Sequence, residues 1–376
     1  MDGSVFENLF VLELANNHWG NLSRGLRIVE EFARVVERNQ VHAAIKLQFR
    51  DVDSFVHDDH RARKDIRYIN KISATRLPWD SLRRLVDAVR DAGMVTMCTP
   101  FDEYSVDKCV EFGVEILKLA SSDIRDWHLI ERIAATGKPV IASTGGSSLG
   151  DVDQLVELFN SRRIPFALNH CVSIYPSADS ELELNQVDFL LARYPNNVIG
   201  FSTHECTDWR CSLMIAYAKG ARTFERHIDI DYEGVPVSPY CTLPEQADEW
   251  FKAFRKAQEM CGSPGVAKRV PPEKEVRYLD ELVRGIYARR DLPAGHVLSE
   301  ADIYRAVPLL KGQLSCREFV TGEVLRRPAK ADEPFDLRNI DSSYSADPAL
   351  LQLVERRGAD PLLPVGLEAQ TLVASN

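Results

Sequence analysis

Two histidines close two short apolar runs. Val198-Ile-Gly-Phe201 leads through Ser202-Thr203 to His204, and Arg222-Thr-Phe-Glu225 leads through Arg226 to His227. Between them residues 208–220 have helical periodicity and stop at Gly220. The unit reads strand, helix, strand, with an imidazole at the C-terminal end of each strand. Neighbouring parallel strands share one rim at those ends, so imidazoles one strand apart can reach one metal ion. The competing reading is one capping histidine and one held in a structural hydrogen bond. Two lysines stand where a charge needs a reason. Lys46 lies between Ile45 and Leu47, and Lys118 between Leu117 and Leu119. A mid-strand lysine must be paired or must carry its ammonium out to solvent along its stem. With Ser121, Ser143 and Ser202 near strand ends, the pair describes an anion site, most simply for phosphate. Glu13, inside the apolar run 9–14, reads either as a structural carboxylate or as one that positions or deprotonates a substrate. Glu225 and Arg226 read as a structural ion pair with each other, and Asn17-His18 as a turn or a ligand contact.

These residues need a scaffold that gathers strand ends. Strand-like runs recur at 9–14, 43–49, 95–101, 116–122, 139–145, 166–171, 198–201 and 222–225, separated by helical patterns and closed by one at 244–261. About eight strand-helix units over roughly 260 residues predict an α/β fold, a (β/α)8 TIM barrel. A doubly wound sheet is the alternative, weakened because no Gly-rich phosphate loop follows the first strand. A barrel collects its site at the strand ends, which adds Gln48, Thr99, Phe101, Asp123, Ser173 and Tyr175 as candidate substrate-binding residues. The segment 50–76 reads as a long loop on that rim. The barrel is expected over 1–262 and a linker over 263–281. A small β-rich domain is expected over 282–340, and over 341–376 a poorly ordered tail with one weak helical stretch at 348–356.

The net charge of −10 argues against a general nucleic-acid binder and a basic membrane-surface protein, but leaves room for an anionic substrate at a local lysine cluster. Eight cysteines without a CxxC pair make a zinc-cysteine site or a disulfide framework unlikely on composition. No signal peptide and no run of membrane-span length is visible, so a cytoplasmic location is expected.

In this order the motifs resemble the N-acetylneuraminate (sialic acid) synthase family. The matching stretches are Glu13-Leu-Ala-Asn-Asn-His18, Lys46-Leu-Gln48, Thr99-Pro-Phe101, Lys118-Leu-Ala-Ser121, Ser143-Thr-Gly145, His170-Cys171 with Ile174-Tyr-Pro176, Gly200-Phe-Ser-Thr-His204 and Glu225-Arg-His227. Gly285 to Asn339, notably residues 292–303, resembles that family's C-terminal antifreeze-like (SAF) domain. The resemblance implies a metal-dependent condensation of phosphoenolpyruvate with an open-chain N-acylated amino sugar, giving a nine-carbon ulosonic acid and phosphate. It implies that His204 and His227 hold Mn²⁺ or Mg²⁺, that Lys46, Lys118, Ser121, Ser143 and Ser202 hold phosphate and carboxylate, and that Glu13 acts on sugar or water protons. Gln48 and Tyr175 would line the sugar side. It also implies a homodimer in which the C-terminal domain of one subunit covers the other's barrel.

The chain departs from that family at Ser173, where asparagine is usual, and at Asp123, where glutamate is usual. Val237 stands where an aspartate contacts sugar hydroxyls, and Val307 where an arginine precedes a proline, with Arg305 two residues earlier. The metal and phosphoenolpyruvate half is mostly kept and the sugar half altered, so a modified relative of N-acetylmannosamine is the expected acceptor. The alternatives are a metal-dependent barrel aldolase or isomerase, and a non-catalytic sugar-binding relative.

Overall fold

The computed structural model describes residues 4–361 except 62, 64, 233, 264 and 266. The chain divides into two compact units between residues 264 and 265. The first is a closed parallel barrel. Its strands are β1 (Leu9–Ala15), β2 (Ala43–Phe49), β3 (Val95–Pro100), β4 (Ile116–Leu119), β5 (Val140–Ser143), β6 (Phe166–Cys171), β7 (Val198–Thr203) and β8 (Thr223–His227). The helices that cover it are α1 (Leu22–Asn39), α2 (Val52–Phe55), α3 (Arg67–Ala74), α4 (Trp79–Asp91), α5 (Glu103–Glu111), α6 (Trp127–Ala134), α7 (Leu149–Ser161), α8 (Asn185–Arg193), α9 (Trp209–Ala218) and α10 (Pro244–Cys261). The segment 50–76, expected as a loop, therefore carries two short helices. Ile72 on α3 is buried, which gives that helix an apolar anchor.

Side chains alternate across each strand, so residue parity decides what faces the barrel axis. Phe10, Leu12 and Leu14 of β1 face outward into the main core. There the Phe10 ring meets those of Trp250, Phe251 and Phe254 on α10 edge-on at 4.8–5.0 Å. The opposite parity points inward. At the N-terminal end it supplies an apolar plug of Leu9, Val11, Ala44, Met97, Ile116, Ile141 and Ala167, closed below by Phe6. One layer further along each strand the same parity supplies Glu13, Lys46, Lys118, Ser143, Asn169 and Glu225, all buried. The barrel axis thus changes from apolar to charged within two residues. Gly200 on β7 is the small residue this layer requires. A Cβ there would lie 1.8 Å from Thr223 Oγ1 and 2.3 Å from Asn169 Oδ1, two atoms that hydrogen-bond each other at 2.5 Å.

The second unit begins in the expected linker. Pro272 caps α11 (Glu273–Asp280), whose first turn holds Glu273 and Glu275 and whose last holds Arg277, the polarity a helix dipole favours. β9 (Gly285–Ala288) pairs antiparallel with β10 (Ile303–Ala306), and β11 (Val324–Leu325) with β12 (Ile340–Asp341). Ile286, Leu298, Leu314, Phe335 and Leu337 form its core. The expected tail from 341 is different in the structure: β12 reaches Asp341, and α12 (Pro348–Arg356) buries Val354 in that core, with Tyr344, Leu350 and Leu351 packed against it. The apolar face of the weak helical stretch is what holds it. Residues 362–376 of that expectation lie outside the described residues.

Candidate active site

A cavity of about 830 Å³ opens at the C-terminal ends of the strands. Glu13, Lys46, Lys118, His204 and His227 line it, together with Gln48, Thr99, Phe101, Ser121, Asp123, Ser143, Ser173, Tyr175 and Ser202. The parity of eight strands and the loops that follow them therefore brings every expected site residue to one place.

Its floor is a charge network. Lys46 Nζ lies 2.6 Å from Glu13 Oε2 and 2.9 Å from Glu225 Oε1, and Lys118 Nζ lies 2.7 Å from Glu225 Oε2. Gln48 donates to Glu13 at 2.7 Å, and Arg50 to Gln48 at 3.1 Å. Burial pushes the Glu225 carboxyl up, but the Lys118 and Lys46 ammonium groups outweigh it and hold it well below the ordinary carboxylate range. Burial lowers the Lys46 ammonium against the opposing pull of Glu225. The expected Glu225–Arg226 pair is not formed. Adjacent strand residues point to opposite faces, so Glu225 enters the barrel while Arg226 leaves it and pairs with Glu205 at 3.0 Å.

Above the lysines sits a hydroxyl-lined hollow. The Gly145 N–H donates to Ser121 Oγ at 3.1 Å. A Cβ on Gly145 would lie 2.2 Å from Ser173 Oγ and 2.8 Å from Ser121 Oγ. Glycine keeps open a space bounded by hydroxyl donors beside buried ammonium groups, a chemistry suited to an anion.

The two imidazoles stand with ring centroids 5.5 Å apart. His204 Nδ1 lies 3.0 Å from the Val172 carbonyl oxygen. A carbonyl only accepts, so Nδ1 carries the proton and Nε2 keeps its lone pair. Burial pushes His204 down to about 4. His227 lies well below the ordinary imidazole value through burial, then the neighbouring His204 and Lys46. Both rings are neutral at pH 7, the state a metal ligand requires. Tyr175 packs on His204 at 3.9 Å and Tyr240 on His227 at 5.2 Å between centroids. Among the described residues no group of three His, Cys, Asp or Glu converges as a cation cage. The residues fit a cation held by two protein nitrogens, with its other positions left to water or substrate.

Arg50, Tyr68, Lys71 and Tyr240 line the cavity without a signal in the sequence, and Glu225, read there as a structural ion pair with Arg226, lines it as well. Arg50 stacks its guanidinium 3.4 Å from the Phe101 centroid, and burial lowers it to about 10. Strand parity alone would have found Glu225. Tyr68 and Lys71 come from α3, which has no strand-end signal. Asp123 is pushed up to about 6 by burial. Of Asn17-His18, Asn17 lines the cavity and His18 does not; His18 Nδ1 accepts the Gly20 N–H at 3.0 Å in the turn after β1. His170 bonds the Leu182 carbonyl at 2.7 Å and is not at the site.

Two outcomes follow from these groups. Glu225→Ala leaves two buried ammonium groups short of a counter-charge and should destabilise the barrel by about 3–5 kcal/mol in urea unfolding; adding Lys118→Met should restore part of that loss. His18 is held at about 4 by burial, below its unfolded value of about 6.5. The unfolded chain binds the extra proton first, so the His18 contribution is complete above about pH 6.5 and is lost as pH falls towards 4, by roughly 3 kcal/mol. His18→Gln should flatten the pH dependence of the urea midpoint over that window.

The model of the NeuB family matches residues 38–265, and that of the SAF domain matches residues 283–338. The crystal structure of a protein named as spore coat polysaccharide biosynthesis protein E from Chromobacterium violaceum is 34% identical, with a TM-score of 0.83, covering 89% of this chain and 100% of that one. An N-acetylneuraminic acid (sialic acid) synthetase from Leptospira borgpetersenii is 26% identical, with a TM-score of 0.64, covering 73% and 91%. The N,N'-diacetyllegionaminic acid synthase of Campylobacter jejuni is 22% identical over 87% of this chain and 98% of its own length.

Proposed function

The chain belongs to the NeuB family, and from that premise we propose that it condenses phosphoenolpyruvate with an N-acylated amino sugar to give a nonulosonic acid and phosphate. The carrying observation is one cavity that sets a buried lysine pair and a hydroxyl hollow beside two neutral imidazoles.

Lys46 and Lys118, with the hydroxyls of Ser121, Ser143 and Ser202, bind the phosphate and carboxylate of phosphoenolpyruvate. Their carboxylate partners Glu13 and Glu225 hold both side chains in place, which makes them fixed donors that need no rearrangement as charge develops. His204 and His227 would hold a divalent cation, Mn²⁺ or Mg²⁺, which would supply Lewis-acid chemistry at the sugar end of the cavity. Phosphoenolpyruvate C3 bonds to the aldehyde carbon, water adds at C2, and the C2–O bond to phosphate breaks to leave the 2-keto acid and inorganic phosphate. Glu13 faces His227 across the β1–β8 pairing and is hydrogen-bonded by Gln48. That position lets it take the proton of the adding water. Gln48, Thr99, Phe101, Asp123 and Tyr175 shape the sugar end, with Ser173 between the two halves.

Ser173, Asp123, Val237 and Val307 differ from the sialic acid synthase pattern, and this supports an acceptor other than N-acetylmannosamine, such as a 2,4-diamino or 6-deoxy relative. The test is phosphate release from phosphoenolpyruvate over a panel of N-acylated hexosamines and those relatives. Release with one sugar, abolished by EDTA and restored by Mn²⁺, is expected. Efficient turnover of N-acetylmannosamine rejects the acceptor reading alone, and no release with any sugar from metal-loaded enzyme rejects the synthase reading. Gly145→Ala should raise the KM for phosphoenolpyruvate at least about tenfold with little change in the KM for sugar, because its Cβ occupies the hollow between Ser121 and Ser173.

A further inference from the structure

A second buried ion pair lies behind the two imidazoles. Glu205 follows His204, and Arg226 precedes His227. Each has the opposite parity to its histidine, so both side chains leave the cavity. Arg226 Nη1 lies 3.0 Å from Glu205 Oε2, with the two side chains 1% and 0% exposed. Arg226 Nη2 donates to the Glu205 backbone carbonyl at 2.9 Å, and Nε donates to Thr242 Oγ1 at 2.9 Å. Thr242 in turn donates its N–H to the His227 carbonyl at 2.8 Å. Glu205 also accepts from the hydroxyls of Thr203 and Ser212. One guanidinium thus grips side chain and backbone of the residue after His204 and, through Thr242, the backbone of His227 itself.

We propose that Arg226 and Glu205 are positioning residues that set the separation of the His204 and His227 imidazoles for a divalent cation. This rests on the reading of the two histidines as cation ligands given above. A fully buried ion pair returns little net stability compared with well-packed apolar side chains. Its distinctive property is direction: the planar guanidinium fixes two hydrogen bonds and one ion-pair contact in one frame. A lysine in its place keeps the charge but not the frame. With two protein nitrogens and no cage of three among the described residues, a small change in ring separation passes undiluted to the cation.

The test measures Mn²⁺ binding from the loss of the free-ion electron paramagnetic resonance signal, with urea unfolding in parallel, on the full-length chain and on Arg226→Lys and Glu205→Gln. Both variants should weaken Mn²⁺ by about 10–100-fold, as partners of metal ligands commonly do, while still unfolding cooperatively. Unchanged Mn²⁺ affinity with a lowered urea midpoint gives the pair a purely structural role and overturns the inference while leaving the cation reading intact. A parent chain that binds no Mn²⁺ overturns the cation reading, and the inference with it, before any variant is compared. Should Arg226→Lys fail to fold, the near-isosteric Glu205→Gln carries the same comparison.

Discussion

The ion network of Glu13, Lys46, Glu225 and Lys118 is the constraint on which the rest of the barrel depends. Two ammonium groups and two carboxylates share one layer of the axis, joined in the order Glu13, Lys46, Glu225, Lys118 by contacts of 2.6–2.9 Å. None of the four tolerates burial alone; in the network each faces a group of opposite charge. Everything around them serves that balance. The apolar plug below excludes water from one side, Gly200 leaves room for the Thr223–Asn169 bond, and Gln48 and Thr99 complete the bonding of Glu13 and Lys46.

That network also makes the proposed anion site compatible with a chain of net charge −10. Global charge is set by the surface, whereas the cavity senses a pair of lysines held in low dielectric, where electrostatic interactions act with far less screening. Neutral imidazoles stand beside them because burial and the nearby positive charge both disfavour a protonated ring. One polar floor therefore suits both the anion and the cation proposed above.

The separation of roles along β8 is the sharpest local feature. Thr223, Glu225 and His227 face the axis, and Phe224 and Arg226 face out. Reading Glu225 and Arg226 as a pair was reasonable by adjacency and wrong by geometry, because neighbours in a strand cannot meet on one face. Their true partners lie on other strands and loops, at sequence distances that no local pattern encodes.

The sequence by itself determined the alternation of strands and helices, and the two-residue spacing that places Glu13, Lys46, Lys118, Ser143, Ser202 and His227 each on one face of its strand. These follow from periodicity of two and of 3.6, which is a property of the chain alone. It also carried the helical face of 348–356, though not its destination. Only the tertiary structure decided which charge meets which, that Arg50 lies against Phe101, that α3 brings Tyr68 and Lys71 to the rim, and that Val354 completes the second core. The physical reason is closure. A barrel joins its first strand to its last, as β1 joins β8, so the partners of a residue are set by a ring of backbone hydrogen bonds rather than by nearness along the chain.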